Sequence, residues 1–240
     1  PITKGYVLCK INNIFNVLKK RITKLFESVD WKISKNLISY DFAISEMEKR
    51  VLEIKQNSAK ELVWLLEHQP IYTGGTSAKK EDLKNDKVET RYTGRGGQWT
   101  WHGPGQRVVY LMLNLKNREQ DVKAYVYALE ELIILTLSDF SINGTRIKNK
   151  PGVWIKNNNQ YDKIGALGIR ISSWVTFHGI SINVNPNLDA FKNIVPCGVT
   201  DGGITSLHKL GKILALNEID NCLKNNFNKI FGDYGSFKVL

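Results

Sequence analysis

The sequence predicts an α+β fold, because segments with helical periodicity alternate with β-branched runs that are typical of strands. Apolar residues recur at helical spacing in residues 39–56, 121–140 and 217–231. Between the last two of these segments, β-branched runs separated by Asn-, Gln- or Ser-rich turns indicate an antiparallel meander. With 240 residues, 42% of them hydrophobic, the chain is expected to form one domain around one large core.

The elements can be assigned in chain order from their residue patterns. Residues 39–56 predict an amphipathic helix, and residues 61–68 and 107–115 predict buried strands. A long helix is expected over residues 121–140, with Asp121 near its start. The apolar face of the first helix is predicted to carry Phe42, Ile44, Met47, Val51, Leu52 and Ile54.

The carboxyl-terminal third is expected to contain the meander and one more helix. The meander strands are predicted at residues 152–156, 163–172 and 175–185. The final helix, over residues 217–231, places Cys222 on its apolar face, which favours a core role for this thiol over a chemical one.

The first 28 residues differ from the rest of the chain. Residues 1–28 combine helically spaced apolar residues with lysines and an arginine, so they predict a basic amphipathic extension. Such a segment can lie on a membrane or a partner, or it can be a terminal helix docked on its own domain or a loosely ordered extension. It lacks the apolar region and the small-residue cleavage site of a secretory signal.

The few cysteines and the absence of a long apolar run indicate where the protein works. Cys9, Cys197 and Cys222 neither build a disulfide framework nor offer a CxxC metal pair, which favours a reducing compartment. No apolar stretch approaches the roughly 20 residues that a membrane span requires. We therefore expect a cytoplasmic protein without stable membrane insertion.

The histidines and the net charge exclude two further classes. The histidines are His68, His102, His178 and His208. They lie far apart without HxxxH or HExxH spacing, so no metal site is expected. The formal net charge of +11 suggests an acidic partner, but the basic residues are scattered and no RNP, zinc-finger or helix-turn-helix signature accompanies them. We therefore expect no nucleic acid, and a basic surface that attracts an acidic protein stays an open alternative.

Cys197 lies in "NIVPCGVTDGGITSL", residues 193–207, between a proline and a glycine. A cysteine used only as a small hydrophobe usually lies among aliphatic residues of a helix or strand. This run contains few helix-forming residues, so it predicts a turn. The position makes Cys197 a candidate nucleophile.

A glycine-rich stretch, "RGGQWTWHGPGQ" over residues 95–106, is the second candidate site. Glycines occur where the backbone passes close to a ligand or turns sharply, so the stretch either binds something or makes a complicated turn. Its polar residues alternate with Trp99 and Trp101, a mixture suited to a pocket with apolar walls and a few fixed donors. The stretch contains neither GxxxxGK[ST] nor a GxGxxG that opens a helix after a strand.

Three ordered motifs, "RGGQWTWHGPGQRVVY", "KIGALGIRISSWVTFHGISINVN" and "PCGVTDGGITSL", resemble those of the lipoyl(octanoyl) transferases. The resemblance runs from about Trp31 through the last helix. It implies a single catalytic domain over residues 29–240, with the α+β fold of the catalytic domain shared by biotin and lipoate protein ligases. That fold is a mixed β-sheet flanked by helices.

The resemblance also implies an activity. Members of this family transfer an octanoyl or lipoyl group from acyl carrier protein, through a cysteine thioester, to a lysine of lipoyl domains, the first step of endogenous protein lipoylation. The implied acceptors are the lipoyl domains of 2-oxoacid dehydrogenase complexes and the glycine cleavage H protein. A monomer that uses no cofactor, metal or ATP is expected.

The site residues follow from the same resemblance. The family's nucleophile falls on Cys197, and the lysine that activates it falls on Lys163. The implied substrate-binding residues are Arg95, Gly96, Gly97, Gln98, Trp99, Thr100, Trp101, His102, Ala166, Leu167, Gly168, His178, Gly179, Ile180 and Ser181.

The chemistry of a thiol supports these assignments, and it leaves alternatives open. An ordinary cysteine, with a pKa near 8.5, is only a few per cent ionised at pH 7, and a lysine ammonium close to the sulfur favours the thiolate. His178 or His102 could instead act as the base in a Cys-His pair, and His178 could equally be a buried strand histidine. An ATP-dependent lipoate- or biotin-type ligase and a non-enzymatic basic binding module are the alternative functions.

Overall fold

The computed structural model describes residues 29–195, 202–232 and 237. The predicted extension, residues 1–28, and the candidate nucleophile Cys197 lie outside the described residues. The helices are α1 (Tyr40–Lys55), α2 (Val122–Ser138) and α3 (Leu216–Phe231). The strands are β1 (Val29–Ile33), β2 (Glu61–Leu66), β3 (Ile71–Gly74), β4 (Thr90–Tyr92), β5 (Trp99–His102), β6 (Gln106–Met112), β7 (Thr145–Ile147), β8 (Lys150–Asn157), β9 (Gln160–Ser172), β10 (Val175–Asn183) and β11 (Gly203–Ile204).

A mixed sheet forms the centre of the fold. Within the described residues its strand order is β1-β2-β6-β10-β9-β8-β7, and β11 pairs with β9. The pairs β1–β2 and β11–β9 are parallel, and the other neighbouring strands run antiparallel. The predicted antiparallel meander is confirmed as β8, β9 and β10.

Helices cover both faces of this sheet, as predicted. On one face, residues of α2 and α3 pack with Val63, Leu65, Val109 and Ile180 in the larger core cluster. On the other face, α1 packs against Trp64 and other strand residues that point away from the first cluster. Because side chains alternate along a strand, β2 is buried on both faces and contributes to both clusters.

The first helix is confirmed, but its buried face differs from the predicted one. Ser39 is the N-cap, and its hydroxyl accepts a hydrogen bond from the Phe42 N–H at 3.4 Å. Ala43, Met47, Val51 and Ile54 are buried, whereas Phe42 and Leu52 are 50% and 54% exposed. The prediction was wrong for these two residues, since they lie outside the narrow stripe that α1 turns toward the sheet.

The segment between β2 and β6 contains a second sheet where the sequence predicted only a polar loop. Within the described residues this sheet has the order β4-β3-β5. Tyr72, Trp99 and Trp101 pack there with Phe191 and Ile194 in a third, smaller cluster. The strands have only three or four residues each, too few for their alternation to be recognised in the sequence.

The two later helices are confirmed at their predicted places. Asp121 caps α2, and its carboxylate accepts hydrogen bonds from the Lys123 and Ala124 N–H groups. Cys222 on α3 is only half-buried, which corrects the expectation of a core thiol. Burial and the nearby Asp139 carboxylate raise the pKa of the Cys222 thiol, so it is still expected to be a poor nucleophile.

None of the helices in the described part of the chain combines the length and the apolar character needed to span a bilayer.

A buried ion pair ties the start of β2 to the turn after β6. The Arg118 guanidinium donates to both carboxylate oxygens of Glu61, at 2.6 and 2.7 Å. The side chains of the pair are 1% and 5% exposed. Glu61 also accepts a hydrogen bond from the Asn114 N–H at 2.7 Å, so the carboxylate orders the chain on both sides of the turn.

We predict that Arg118→Leu lowers the free energy of unfolding by about 3–5 kcal/mol, because it leaves the Glu61 carboxylate buried without its counter-charge. Chemical denaturation of the two proteins measures the difference. Arg91→Leu is the matched control, since Arg91 pairs with Asp41 at the exposed surface and its loss is expected to cost at most about 1 kcal/mol. Equal losses in the two variants would contradict the prediction.

Candidate active site

A narrow cavity, which we call the central cavity, lies between the large sheet and the small one. Its volume is about 50 Å³, which suits a slender ligand better than a bulky one. It is lined by Tyr40, Arg95, Gly97, Gln98, Thr100, His102, Val108, Tyr110, Ala166, Leu167, Gly168, His178, Gly179, Ile180 and Ser181.

The floor of the central cavity is one face of β6, β10 and β9. Strand register places Gly179 between Tyr110 and Gly168, and Ser181 between Val108 and Ala166. These residues therefore share a face of the sheet. Small residues at these positions leave the room above the strands. A side chain cannot replace Gly179, because an added Cβ would lie 2.2 Å from the Val109 carbonyl oxygen.

The roof is the glycine-rich stretch, held down by Arg95. The buried Arg95 guanidinium donates to the Thr73 carbonyl oxygen at 2.7 Å and to the Thr73 hydroxyl at 2.8 Å. It also donates to the Gln98 and Gly96 carbonyl oxygens. Arg95 lies close above Gly168, where an added Cβ would approach the arginine Cδ to 2.9 Å. The arginine therefore orders the roof at the same time as it lines the cavity.

Three of the predicted substrate-binding residues lie outside the cavity lining. Trp99 and Trp101 alternate with Thr100 and His102 along β5, so they point to the opposite side and pack in the third cluster. The Trp99 indole N–H donates to the Lys79 carbonyl oxygen at 2.7 Å, as a structural tryptophan does. Gly96 is also absent from the lining. Whether any of the predicted residues contacts substrate remains a prediction.

His178 owes its place in the cavity to an unusual backbone conformation. Its φ is +60°, in the left-handed region that residues other than glycine rarely adopt. In a regular strand the rings of Phe177 and His178 would point to opposite faces, but here they stack, with centroids 5.4 Å apart and planes at 18°. The turn brings the His178 ring to the same cavity as Gly179 and Ser181.

Sequence reasoning missed part of the site around the buried His68. The Nδ1 atom of His68 is 2.8 Å from the Ile38 carbonyl oxygen, and its Nε2 atom is 2.7 Å from the Tyr110 hydroxyl. A carbonyl oxygen can only accept, so Nδ1 carries the proton and Nε2 accepts from Tyr110. The ring centroids of His68 and His102 are 5.6 Å apart, and Tyr40 lies against both.

Three of the four histidines thus converge, although the sequence spacing gave no sign of it. His68 follows β2, His102 ends β5, and His178 lies in β10, so only the pairing of distant strands brings them together. Within the part of the chain that the structure describes, no group of three or more His, Cys, Asp or Glu side chains is arranged to hold a metal ion.

A chain of amide hydrogen bonds fixes the tautomer of His102. The Asn183 amide donates to the Thr205 carbonyl oxygen, and the Gln106 amide donates to the Asn183 side-chain oxygen, both at 3.0 Å. The Gln106 side-chain oxygen is therefore the atom that faces His102 Nδ1, 2.6 Å away. His102 carries its proton on Nδ1, and its Nε2 is the acceptor nitrogen of a neutral ring.

All three converging histidines are held neutral by their surroundings. Burial lowers the pKa of His68 to about 4 and, with the nearby Arg95 and Arg170 charges, the pKa of His178 to about 3. Burial, together with His68 and Arg95, holds the pKa of His102 well below its usual range. Such rings accept protons poorly at neutral pH, which disfavours His178 and His102 as general bases.

Lys163 lies in β9, beyond the floor of the central cavity. Its buried ammonium donates to the Pro151 carbonyl oxygen at 3.0 Å and lies 4.6 Å from the centroid of the Trp154 ring. An added Cβ at Gly152, where φ is +118°, would come within 3.1 Å of Lys163 Cε. No carboxylate among the described residues forms an ion pair with this lysine.

Two further cavities share lining residues with one another, and the first of them also shares residues with the central cavity. The first, the inner cavity, is lined by Lys163, Ile204 and Phe191, and it shares Thr100 and Ala166 with the central cavity.

The second of these cavities is lined by Val195 and Gly202, the described residues that flank residues 196–201 in the sequence, and it shares Ile204 with the inner cavity. Ile204 of β11 is also the strand partner of Lys163. The described chain therefore resumes at Gly202, two residues before the strand partner of Lys163. The position of Cys197 itself remains a prediction.

This fold and site define a class of protein. Residues 39–228 match the family model of the lipoyl protein ligase A/B catalytic domain. The fold is also similar to that of the lipoate protein ligase from Thermoplasma acidophilum, with a TM-score of 0.63 at 13% identity, covering 88% of this chain and 86% of that one. A lipoate-protein ligase A bound with ATP gives a TM-score of 0.62 at 12% identity, covering 87% of each chain. The predicted fold class is confirmed.

Sequence relatives narrow the class to one family. The octanoyltransferase of a Bradyrhizobium species is 51% identical over 211 residues, which cover 85% of this chain and 88% of the relative. The octanoyltransferase of Bartonella quintana is 50% identical over 214 residues, covering 85% of this chain and 87% of the relative. The chain belongs to the octanoyltransferase family, as the three motifs predicted.

Because the buried histidines are neutral, the free energy of unfolding depends on pH. An unfolded histidine binds a proton as the pH falls below about 6.5, whereas folded His68 does so only near pH 4. Between these values the unfolded state binds more protons, so the free energy of unfolding decreases as the pH falls through this window.

We predict that His68→Gln removes up to about 3 kcal/mol of this acid-induced loss between pH 7 and pH 4, because glutamine cannot take up the proton. Denaturation at several pH values measures the slope for each protein. His208→Gln is the control, since His208 is exposed, and it should keep the wild-type slope. A wild-type slope in His68→Gln would show that His68 does not supply the effect.

Proposed function

We propose that this chain transfers an octanoyl group from acyl carrier protein to a lysine of a lipoyl domain through a thioester on Cys197. Membership of the octanoyltransferase family makes the chain a transferase of octanoyl groups in protein lipoylation. The observation that supports the finer proposal is the position of Lys163. It lines the inner cavity, which shares Thr100 and Ala166 with the central cavity, and its strand partner Ile204 follows the Cys197 segment in the sequence.

In the first half-reaction, the Cys197 thiolate attacks the carbonyl carbon of the carrier thioester. A new carbon–sulfur bond forms on the enzyme, the bond to the carrier sulfur breaks, and the departing thiolate takes a proton from the Lys163 ammonium. One thioester replaces another of similar energy, so the acyl group can be held on the enzyme without an external energy source. This half-reaction leaves Lys163 neutral.

In the second half-reaction, the neutral lysine amine of the lipoyl domain attacks the acyl-enzyme. The carbon–nitrogen bond forms as the carbon–sulfur bond breaks, and Lys163 accepts the proton that the amine loses. The Cys197 thiolate and the Lys163 ammonium are restored together. The proton that Lys163 gives up in the first step is the one that it regains in the second, so one side chain serves both.

The surroundings of Lys163 fit a group that changes its charge during turnover. Its partners in the described residues are the Pro151 carbonyl oxygen and the Trp154 ring, both of which can hold an ammonium by dipole or cation–π attraction. Neither carries a formal negative charge, so in this proposal the counter-charge is the Cys197 thiolate itself. Formation of the thioester removes that charge and favours release of the proton.

The central cavity is proposed to hold the acyl chain. Its floor of Val108, Ala166, Gly168 and Gly179 is apolar, and its roof and walls contain neutral rings. An unbranched chain buried there gains roughly 0.8 kcal/mol for each methylene group removed from water. The small volume of about 50 Å³ favours an unbranched alkyl chain over a bulky group.

The net charge supports an acidic protein as donor. With a formal charge of +11, the chain is suited to attract acyl carrier protein, the donor that the family implies, through long-range electrostatics. The proposed acceptors are the lipoyl domains of 2-oxoacid dehydrogenase complexes and the glycine cleavage H protein. The proposed location is the cytoplasm, where a reducing environment keeps the nucleophilic thiol free.

We predict that octanoyl-carrier alone leaves one octanoyl adduct on Cys197 and that added lipoyl domain removes it. Lys163→Ala should slow both formation and discharge by at least about 100-fold, the usual range for loss of a general acid–base group. Lys163→Arg should retain part of adduct formation and fail in discharge, because arginine does not release its proton. Intact-protein mass spectrometry over time measures both steps.

Lys156→Ala is the matched control, since Lys156 lies on the neighbouring strand β8 but is exposed. It should form and discharge the adduct at the wild-type rate. Discharge at the wild-type rate by Lys163→Arg would remove Lys163 from the base role. Product that forms only with ATP, without any adduct, would show that the chain acts as a ligase.

A further inference from the structure

Two acidic side chains are buried side by side in α2, a helix whose other buried residues are mostly apolar. Glu130 and Glu131 are 8% and 5% exposed. Both carboxylates contact one guanidinium: Arg146 Nε lies 3.2 Å from a Glu130 oxygen, and a terminal nitrogen of Arg146 donates to Glu131. Two buried carboxylates on one arginine are costly unless further donors satisfy them. Glu130 therefore needs a partner besides Arg146.

That partner is the backbone of β8. The Gly152 N–H donates to Glu130 Oε1 at 2.9 Å, in a buried hydrogen bond. The bond joins α2 to the strand that packs beside Lys163, since both contacts of the Lys163 ammonium, the Pro151 carbonyl oxygen and the Trp154 ring, belong to β8.

Strand pairing leaves the peptide between Pro151 and Gly152 unsupported. Lys150 pairs with Ile147 on β7, and Val153 pairs with residue 165 on β9. The two residues between Lys150 and Val153 are in register with no residue of the described strands. The direction of this peptide is therefore determined by contacts outside the ladder, of which the hydrogen bond to Glu130 is one.

The same peptide connects Glu130 to Lys163. The N–H and C=O groups of a trans peptide lie in one plane and point in opposite directions. The N–H is bound by Glu130, and the C=O accepts a hydrogen bond from the Lys163 ammonium at 3.0 Å. Because the peptide is planar, the carboxylate that holds its N–H also determines where its carbonyl oxygen points.

Lys163 lies beside an irregularity of the strand pairing. It pairs with Trp154 of β8. The preceding β8 residue, Val153, pairs with Gly165 and leaves Ile164 as an extra residue of β9. Such a β-bulge changes the direction of neighbouring side chains. A lysine has many rotamers, so the ammonium needs a fixed acceptor to hold it in one position.

We propose that Glu130 is a positioning residue for the proposed reaction. It holds the peptide between Pro151 and Gly152 so that the carbonyl oxygen fixes the Lys163 ammonium. The inference rests on the proposed function, because it takes Lys163 as the group that gives and regains the proton. Glu130 acts only through this peptide, so the proposal requires an acceptor atom at the correct distance from the Gly152 N–H.

Two conservative variants test this requirement. Glu130→Asp keeps the charge but is shorter by about 1.5 Å, so its carboxylate no longer reaches Gly152. The partly exposed Arg146 side chain can move with it. The single-turnover rates of octanoyl-adduct formation and discharge should fall by about 10- to 100-fold, because the lysine is no longer held in place. Glu130→Gln keeps the length and an acceptor oxygen, so both rates should stay within about threefold of wild type.

The dependence on donor concentration distinguishes positioning from a general loosening of the fold. In Glu130→Asp the maximal rate of adduct formation should fall, whereas the concentration of octanoyl-carrier that gives half of that rate should keep its wild-type value. The reason is that Glu130 is buried behind β8 and is proposed to act on Lys163 and not on the carrier. Intact-protein mass spectrometry at several carrier concentrations measures both quantities.

Glu131→Asp is the matched control. Glu131 is the neighbouring residue of α2, is equally buried and shares Arg146, but the hydrogen bond to Gly152 belongs to Glu130. The control should therefore form and discharge the adduct at the wild-type rates. Chemical denaturation confirms that each variant is folded before its rates are compared.

Hydrogen exchange of the Gly152 amide, followed by NMR in the wild-type protein, tests the hydrogen bond without any variant. An N–H bound to a buried carboxylate should exchange far more slowly than in an unfolded peptide. Exchange as fast as in an unfolded peptide would overturn the proposal.

The outcomes separate the role of Glu130 from the proposed function. Wild-type protein that forms no octanoyl adduct would contradict the proposed function itself. Wild-type protein that forms and discharges the adduct, together with a folded Glu130→Asp variant that does so equally fast, would overturn the positioning role alone. An equal loss in Glu131→Asp would assign the effect to Arg146, and an equal loss in Glu130→Gln would assign it to the charge. Either result would also overturn the proposal.

Discussion

The antiparallel pairing of β9 with β10 is the interaction on which the site depends. It aligns Ala166 with Ser181 and Gly168 with Gly179, and these pairs form the floor of the central cavity. The same strand β9 carries Lys163 at one end and Arg170 at the other. The register of the pairing determines which residues of β9 and β10 lie opposite each other. The fixed rise per residue determines how far apart the functional side chains lie along each strand. The small sheet then closes the cavity from above.

Many polar groups are buried around the cavity that is proposed to hold an alkyl chain, and each of them needs a hydrogen-bond partner. The site keeps the histidine rings neutral and directs their hydrogen bonds away from the cavity. His68 bonds to Ile38 and Tyr110, and His102 bonds to Gln106. Arg95 points its guanidinium at backbone carbonyl oxygens of the roof. What faces the cavity is therefore mostly ring surface, glycine and aliphatic carbon, which an acyl chain can contact without desolvating a charge.

Sequence patterns predicted the parts of the fold that have long apolar periods. The three helices and strands β8 to β10 were predicted because each has a repeating buried face, and Asp121 was recognised as a start signal. The small sheet was missed because β3 to β5 have only three or four residues each. It is held by distant contacts such as the hydrogen bond from the Tyr72 hydroxyl to the Ala190 carbonyl oxygen.

The site was predicted as three sequence segments, but its internal geometry was not. Alternation along β5 sends Trp99 and Trp101 to a separate cluster, and a left-handed φ at His178 brings that ring into the cavity. Neither effect has a signal in a single sequence. Tyr40, His68 and Tyr110 were not recognised, because only the pairing of β2 with β6 and the docking of α1 bring them to the cavity. The meeting of Cys197 with Lys163 stays a prediction from the family motifs.

The proposed reaction requires an acyl chain in the central cavity with its carbonyl end at Lys163. Photo-crosslinking with an octanoyl donor that carries a diazirine at its terminal carbon tests this placement of the chain, with unlabelled donor as competitor. The predicted result is a competed label on the peptides that contain Ala166 or Ser181, which face each other on the floor of the central cavity. A label confined to the Trp101–Phe191 cluster, or spread over exposed residues, would contradict this placement of the acyl chain.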